Sequence, residues 1–233
     1  MTSAERARLE ELAERIGHRF NELSLLERAL AHRSWCAETP GEESNERLEF
    51  LGDAVLGFVV ADLAYGEFHE LQEGVLTDLR KSVVNAVALA QVAEQIDLGP
   101  HIKLGKGETA AGGAEKPSIL SDALEAVIAA VYLDAGADAA HGMVSRLIAP
   151  RMNRSIDRLD QLDFKTQLQE LSARRGLGVP IYEITAIGPD HSKSFTASAV
   201  VDGDVLGVGR GRSKKAAEQG AAAEACASID HSA

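Results

Sequence analysis

One change of pattern constrains the fold of this chain more than any other feature of its sequence. Up to Arg158 the apolar residues recur at the three- and four-residue spacing of helices, and no segment alternates convincingly like a strand. Beyond it, residues 181–187, 194–201 and 205–211 alternate in polarity, are rich in β-branched and aromatic residues, and are separated by turn sequences. We therefore predict two domains, with the boundary at 158–162.

The first domain is predicted to be all-helical. Residues 73–96 are predicted to form one helix, and a later helix is predicted to end at Gly136. Residues 103–118 are rich in Gly, Lys and Ala, a composition that predicts a mobile loop. No apolar run is long enough to span a membrane, and residues 1–20 lack the apolar middle of a signal peptide, so we expect a soluble cytoplasmic protein.

The second domain is predicted to have the order helix, three strands, helix. A short helix closes at Gly176, and an Ala-rich helix over 213–229 follows the last strand. Such a meander forms an antiparallel sheet with both helices on one face. The expected fold class is an all-α N-terminal domain followed by a small α+β (α-β-β-β-α) domain.

Two of the predicted helices each carry acids on one side and apolar residues on the other. In SNERLEFLGDAVL, residues 44–56, Glu46, Glu49 and Asp53 lie within roughly 60° of one another around the helix axis. In SILSDALEAVIAAVYL, Asp122 and Glu125 likewise share a face. These acids are the candidate functional residues of the first domain.

Solvated surface faces would be the ordinary explanation of such acids. Surface helices usually mix Lys with Glu at four-residue spacing, and neither group has such a partner. Asp53 and Glu125 also lie within apolar segments, where burying an acid that has no functional role costs free energy. Two carboxylates about 6 Å apart repel by roughly 2–3 kcal/mol. Oxygen ligands without His or Cys favour Mg²⁺ or Mn²⁺.

The net charge of −12 argues against nucleic acid when the chain is taken as a whole. The acid excess, however, lies in the first two thirds. Residues 160–233 contain 8 Lys and Arg against 10 Asp and Glu, whereas residues 1–159 contain 16 against 26. The last third can therefore concentrate its bases locally.

At these residues the chain resembles the bacterial ribonuclease III family, endonucleases of double-stranded RNA. NERLEFLGDAVL matches the family signature almost residue for residue, and the resemblance extends over nearly the whole chain. It implies that four acids bind Mg²⁺, with Mn²⁺ as a possible substitute: Glu49, Asp53, Asp122 and Glu125. Glu46 and Glu73 are implied to play supporting catalytic parts, although each also lies at a predicted helix start, where an acid simply complements the dipole.

The resemblance also implies a mechanism and an assembly. Two metal ions about 4 Å apart would activate water and hold the leaving oxygen, giving 5′-phosphate and 3′-hydroxyl ends. A homodimer would cut both strands and leave short 3′ overhangs, with Phe50 packing against the partner subunit or, alternatively, serving as an ordinary core aromatic. The resemblance implies a role in processing ribosomal RNA precursors and other structured RNAs, including mRNA.

Residues of the second domain resemble the contact regions of double-stranded-RNA-binding domains, which span about 16 base pairs. Thr166, Gln167 and Glu170 match the first contact helix, and His191 matches the loop between the first two strands. Cations before and within the first turn of the last helix match the phosphate-binding region: Arg210, Arg212, Lys214 and Lys215. Solvated lysines on a capped helix are the alternative.

The resemblance places the catalytic domain at residues 1–157, a linker at 158–161 and the RNA-binding domain at 162–230. No membrane and no small-molecule cofactor are expected. Cys36 and Cys226 are expected to be free thiols. Two other functions are considered: an inactive RNA-binding regulator with the same fold, and a helical metal phosphohydrolase acting on small phosphates.

Overall fold

The computed structural model describes residues 2–69, 71–160, 164–188 and 193–231. Its backbone contacts separate two compact units, Met1–Ile156 and Asp157–Ala233. The first unit is helical and the second contains the sheet, so the predicted fold class is confirmed. In the part of the chain that the structure describes, no helix is long and apolar enough to cross a membrane.

Eight helices follow one another before the described sheet unit: α1 (Ser3–Ile16), α2 (Leu23–Ala29), α3 (Arg33–Glu38), α4 (Glu46–Glu67), α5 (Glu73–Val84), α6 (Ala86–Gln95), α7 (Lys106–Ala110) and α8 (Pro117–Asp160). The apolar face of α8 is the centre of the core, since Leu120, Leu124, Val127 and Val131 are each at most 1% exposed. At Gly136 the φ angle is 82°, and α8 changes direction there. The predicted helix end at Gly136 is this kink.

Two local predictions for this unit are wrong. Residues 73–96 form two helices because Asn85 adopts an extended conformation, and its side chain accepts a hydrogen bond of 3.0 Å from the Ala88 amide. This cap starts α6 afresh. Residues 103–118 are not one loop, since they contain α7 and a 3₁₀ turn, Gly113–Glu115.

In the second unit, strands β1 (Ile181–Ile187), β2 (Ser194–Val201) and β3 (Asp204–Gly211) form an antiparallel sheet in the order β1-β2-β3. Helices α9 (Phe164–Arg174) and α10 (Lys214–His231) pack together against one face of the sheet. Gly209 lies directly on α10, where an added Cβ would overlap backbone atoms of Ala217 and Ala221. The alternating glycines of β3 thus serve close packing rather than phosphate binding.

Candidate active site

The two acidic helices cross at a glycine. A Cβ added at Gly52 of α4 would overlap the carbonyl oxygen of Glu125 in α8 and lie 3.1 Å from its Cα. Glu49 and Asp53 flank Gly52 along α4, and Asp122 precedes Glu125 by one turn. The close approach of the backbones therefore brings the acids of both helices to one crossing point.

The pKa values show that these carboxylates interact. Burial, and then the negative charges of Asp53, Asp122 and Glu49, raise the pKa of Glu125 to about 8. The pKa of Glu49 is raised as well, by burial first and then chiefly by Asp122 and Glu46. The acids of each helix thus raise the pKa of an acid on the other helix.

Burial differs between the acids. Glu49, Asp122 and Glu125 are partly buried, whereas Asp53 is exposed. The free-energy cost of burying an acid that has no functional role therefore applies to Glu125. It does not apply to Asp53, so the argument from burial is wrong for that residue. The apolar residues around Asp53 partly face outward, because α4 exposes Phe50 and Phe58.

A cavity of about 340 Å³ opens beside the crossing. Acidic and basic side chains both line it, together with Asn45, Ser118 and Ile119. The charged and titratable residues of the lining are His32, Arg33, Glu46, Glu49, Glu108, Lys116 and Asp122. Its dimensions and polarity suit an ionic group such as a phosphate.

Glu46 and Glu73 lie at the starts of α4 and α5, respectively, and both are exposed. Glu46 lines the cavity, accepts a hydrogen bond of 2.7 Å from the Ser44 hydroxyl and lies 3.9 Å from Arg33. Glu73 is not among the described residues that line the cavity, and it accepts a hydrogen bond of 3.0 Å from Thr77 one turn later. The structure brings Glu46 into the cavity with Glu49 and Asp122, which Asp53 and Glu125 do not line. The supporting roles of Glu46 and Glu73 stay predictions.

Oxygen donors alone make up the acidic group at the crossing. Among the described residues no three His, Cys, Asp or Glu side chains lie close enough together to hold a metal ion in the arrangement seen here. The pKa of Glu125 is nevertheless raised, by burial first and then by the negative charges of Asp53, Asp122 and Glu49. Carboxylates in mutual repulsion fit a hard divalent cation such as Mg²⁺, whose remaining positions are filled by water and substrate phosphate.

Asn45 fixes the start of α4, and the sequence analysis did not single it out. It is 3% exposed, its backbone N–H donates to the Ala31 carbonyl at 2.9 Å, and its side chain donates to the Ala29 carbonyl at 3.2 Å. A buried amide that satisfies two carbonyls holds the first turn of α4 in place. Its position immediately before a helix is the signal that could have revealed it.

The second unit presents its predicted RNA-binding residues on different surfaces. Gln167 and Glu170 of α9 are exposed and Thr166 is partly buried, while Arg212, Lys214 and Lys215 are exposed before and at the start of α10. Lys165 joins these two helices, since its Nζ is 2.6 Å from a carboxylate oxygen of Glu218 in α10. The starts of α9 and α10 therefore lie side by side.

Arg210 and His191 do not join that group in the described structure. Arg210 alternates with Gly209 and Gly211, which face α10, so its side chain projects from the opposite face of the sheet. His191 lies outside the described residues. The surface that the structure assembles from the predicted residues is thus α9 together with the start of α10.

Comparisons with known proteins agree with this architecture. The family model described as Ribonuclease-III-like matches residues 22–152, and the Double-stranded RNA binding motif matches residues 164–229. Ribonuclease 3 of Streptomyces coelicolor is 54% identical over 92% of this chain and 78% of its own length, and that of Nocardia farcinica is 52% identical over 86% and 85%. The crystal structure of a ribonuclease III nuclease domain from Campylobacter jejuni, 42% identical, covers 61% of this chain and 94% of its own, with a TM-score of 0.57.

The two matched families define an RNA-cleaving enzyme that carries its own double-stranded-RNA-binding domain. The chain belongs to the ribonuclease III family. It is accordingly an endoribonuclease, a hydrolase of phosphodiester bonds, as the resemblance of its sequence predicts.

The crossing of α4 and α8 gives a stability prediction. We expect Gly52→Ala to lower the free energy of unfolding by about 1–3 kcal/mol or more, because the methyl group must push two packed backbones apart. Gly66→Ala is the matched control in the same helix, since a Cβ there meets nothing within 4 Å. Urea unfolding of both variants checks this, and equal stabilities would contradict the close crossing.

Proposed function

We propose that this protein is a Mg²⁺-dependent endonuclease that cuts both strands of double-stranded RNA. The products would carry 5′-phosphate and 3′-hydroxyl ends with short 3′ overhangs. The observation that carries the proposal is the crossing at Gly52, where two helices bring their carboxylates into mutual repulsion. Processing of ribosomal RNA precursors, mRNA and other structured RNA in the cytoplasm is the corresponding role.

The proposed metal ligands are Glu49, Asp53, Asp122 and Glu125. Divalent ions bound there, Mg²⁺ or Mn²⁺, supply a Lewis acid that activates water and stabilises charge on the phosphate. Glu125 has a pKa of about 8 without metal, so its carboxyl must release a proton to become a ligand. Glu46 and Glu73 are proposed to support this set.

The second unit is proposed to hold the RNA. Lys214 and Lys215 begin α10, where the helix dipole also favours phosphate. Gln167 and Glu170 of α9 offer polar groups to 2′-hydroxyls, and Arg212 adds charge. A basic edge on an otherwise acidic protein gives binding that weakens as salt rises. We place these functions in domains at 1–157 and 162–230 with a linker at 158–161.

A homodimer is proposed from the outer surface of α4. Five residues at helical spacing form an exposed apolar stripe, here called the α4 stripe: Phe50, Ala54, Phe58, Ala61 and Tyr65. Phe50 is 81% exposed, which excludes a core role within the single chain. A Campylobacter jejuni ribonuclease III nuclease domain is described with a flexible region involved in dimer formation, which supports self-association here.

Cleavage of long paired RNA tests the function. We expect the full-length protein to cut the RNA in Mg²⁺, to bind it without cutting in Ca²⁺, and to leave it intact in EDTA. Ligation that requires a 5′-phosphate checks the product ends, and single-stranded RNA of the same sequence is the control. RNA that is bound but left whole in Mg²⁺ would favour the inactive regulator instead.

A further inference from the structure

The cavity beside the acids is lined by an arginine, Arg33, whose guanidinium forms no close ion pair with the residues around it. Arg33 is the first residue of α3, and its side chain is 74% exposed. Its Nη1 lies 3.9 Å from Oε1 of Glu46, which is beyond hydrogen-bond distance. Within the part of the chain that the structure describes, no protein acceptor takes a hydrogen bond from this guanidinium.

Lys116, the other strong base lining the cavity, differs in this respect. Its Nζ lies 2.5 Å from Oε1 of Glu108, and this hydrogen bond lowers the pKa of Glu108. The charge of Lys116 is therefore already compensated within the protein. Arg33 remains the base whose donors can be given to a ligand without breaking an existing close pair.

The position of Arg33 suits a phosphate of the substrate strand. An RNA strand carries one phosphate for every nucleotide, so a strand with one phosphate at the acids has neighbouring phosphates on either side of it. The cavity that Arg33 shares with Glu46, Glu49 and Asp122 has room for one of them. A guanidinium offers several N–H donors in a planar fork that matches two phosphate oxygens. We propose that Arg33 binds the phosphate adjacent to the scissile one and so determines which bond reaches the acids; this rests on the proposed function.

The competing role for Arg33 is electrostatic: its positive charge would partly offset the negative charges of Glu46 and Glu49. In that role, loss of the positive charge would change the Mg²⁺ requirement and leave substrate recognition unchanged. Phosphate binding instead predicts a change in substrate recognition at saturating Mg²⁺. The two roles therefore separate by measurement.

The test compares Arg33→Gln and Arg33→Lys in the full-length protein, with Arg19→Gln as the control, because Arg19 is exposed and lines a different cavity. At saturating Mg²⁺ we expect Arg33→Gln to reduce kcat/KM about 10- to 100-fold. The slope of log(kcat/KM) against log[salt] should become shallower by about one, as for one lost phosphate contact. On end-labelled RNA the cuts should spread to neighbouring bonds, and Arg33→Lys should restore the slope but only part of the rate.

The inference would be overturned if Arg33→Gln kept the rate, the salt slope and the cut positions of the parent. It would also be overturned if the only change were in the Mg²⁺ concentration needed for half-maximal cleavage. Thermal unfolding of each variant shows whether a loss reflects misfolding, and Arg33→Lys then decides the question. Failure of the parent to cut would overturn the proposed function itself, with the inference that depends on it.

Discussion

Replacing Glu125 with glutamine is expected to stabilise the metal-free protein at pH 8 while reducing cleavage of double-stranded RNA on the order of 10³-fold. The loss of cleavage corresponds to about 4 kcal/mol of transition-state stabilisation, which is reasonable for a ligand of a catalytic metal ion. The gain in stability follows from the charge that the parent must bury.

The direction of the stability change follows from the pKa. Burial and the charges of Asp53, Asp122 and Glu49 raise the pKa of Glu125 from 4.5 to about 8 on folding. Between these values the folded state binds more protons than the unfolded state, so the free energy of unfolding falls as pH rises. Because Glu125 is only partly buried, solvent screening reduces the cost at pH 8 to about 1–3 kcal/mol. Glutamine keeps the shape of the side chain and carries no charge.

Urea unfolding in EDTA at pH 5 and pH 8, together with cleavage in Mg²⁺, checks this prediction. The variant should exceed the parent in stability at pH 8, and the difference should shrink toward pH 5. Mg²⁺ should raise the Tm of the parent more than that of the variant. Glu94→Gln, at an exposed position of α6, is the matched control and should change neither property. Parental cleavage by Glu125→Gln would remove Glu125 from the proposed ligands.

The sequence could predict the acidic faces because helical periodicity is a local property. Glu49 and Asp53 on α4, and Asp122 and Glu125 on α8, follow from spacing alone. That the two faces meet depends on Gly52, whose missing side chain lets α4 contact the backbone of α8. A glycine within an apolar helical pattern signals close approach, but its partner is a tertiary fact.

Burial was less predictable than spacing. The apolar character of α4 suggests a helix enclosed by its own chain, yet Phe50, Phe58 and Tyr65 are 81%, 66% and 78% exposed. Hydrophobicity alone does not distinguish a core from a surface that another molecule covers. The same ambiguity explains why the sequence suggests burial for Asp53, which borders these aromatics and is exposed.

Side-chain direction explains why Arg210 does not share a surface with the other predicted RNA-binding cations. The sequence groups Arg210 with the cations that follow it, because all lie within a few residues. In a strand, however, successive side chains point to opposite faces. Gly209 and Gly211 must face α10, so Arg210 is turned away from it. Closeness in sequence is therefore a poor guide to a shared surface where a strand passes into a helix.

The α4 stripe gives the second large expected effect, the loss of self-association in Phe58→Glu. In a symmetric dimer each residue of the interface occurs twice, so the substitution removes two aromatic rings and introduces two charges. Burying a Phe side chain contributes roughly 1.5–3 kcal/mol, so we expect the dimer to dissociate about 10³-fold more readily, or more. Phe58 lies more than one helical turn beyond Asp53, which leaves the acidic crossing in place.

Sedimentation equilibrium checks the mass, and native gels of the cleaved RNA distinguish nicks from double-strand cuts. We expect a dimeric parent that cuts both strands, and a monomeric variant that has lost paired cuts but still binds RNA in Ca²⁺ through its second unit. Val179→Glu is the matched control, since Val179 is a 73% exposed apolar residue of that unit. A Phe58→Glu protein that remains dimeric would place the interface elsewhere and leave the exposed aromatics of α4 unexplained. A monomeric variant with normal paired cuts would show that one chain alone can cut both strands.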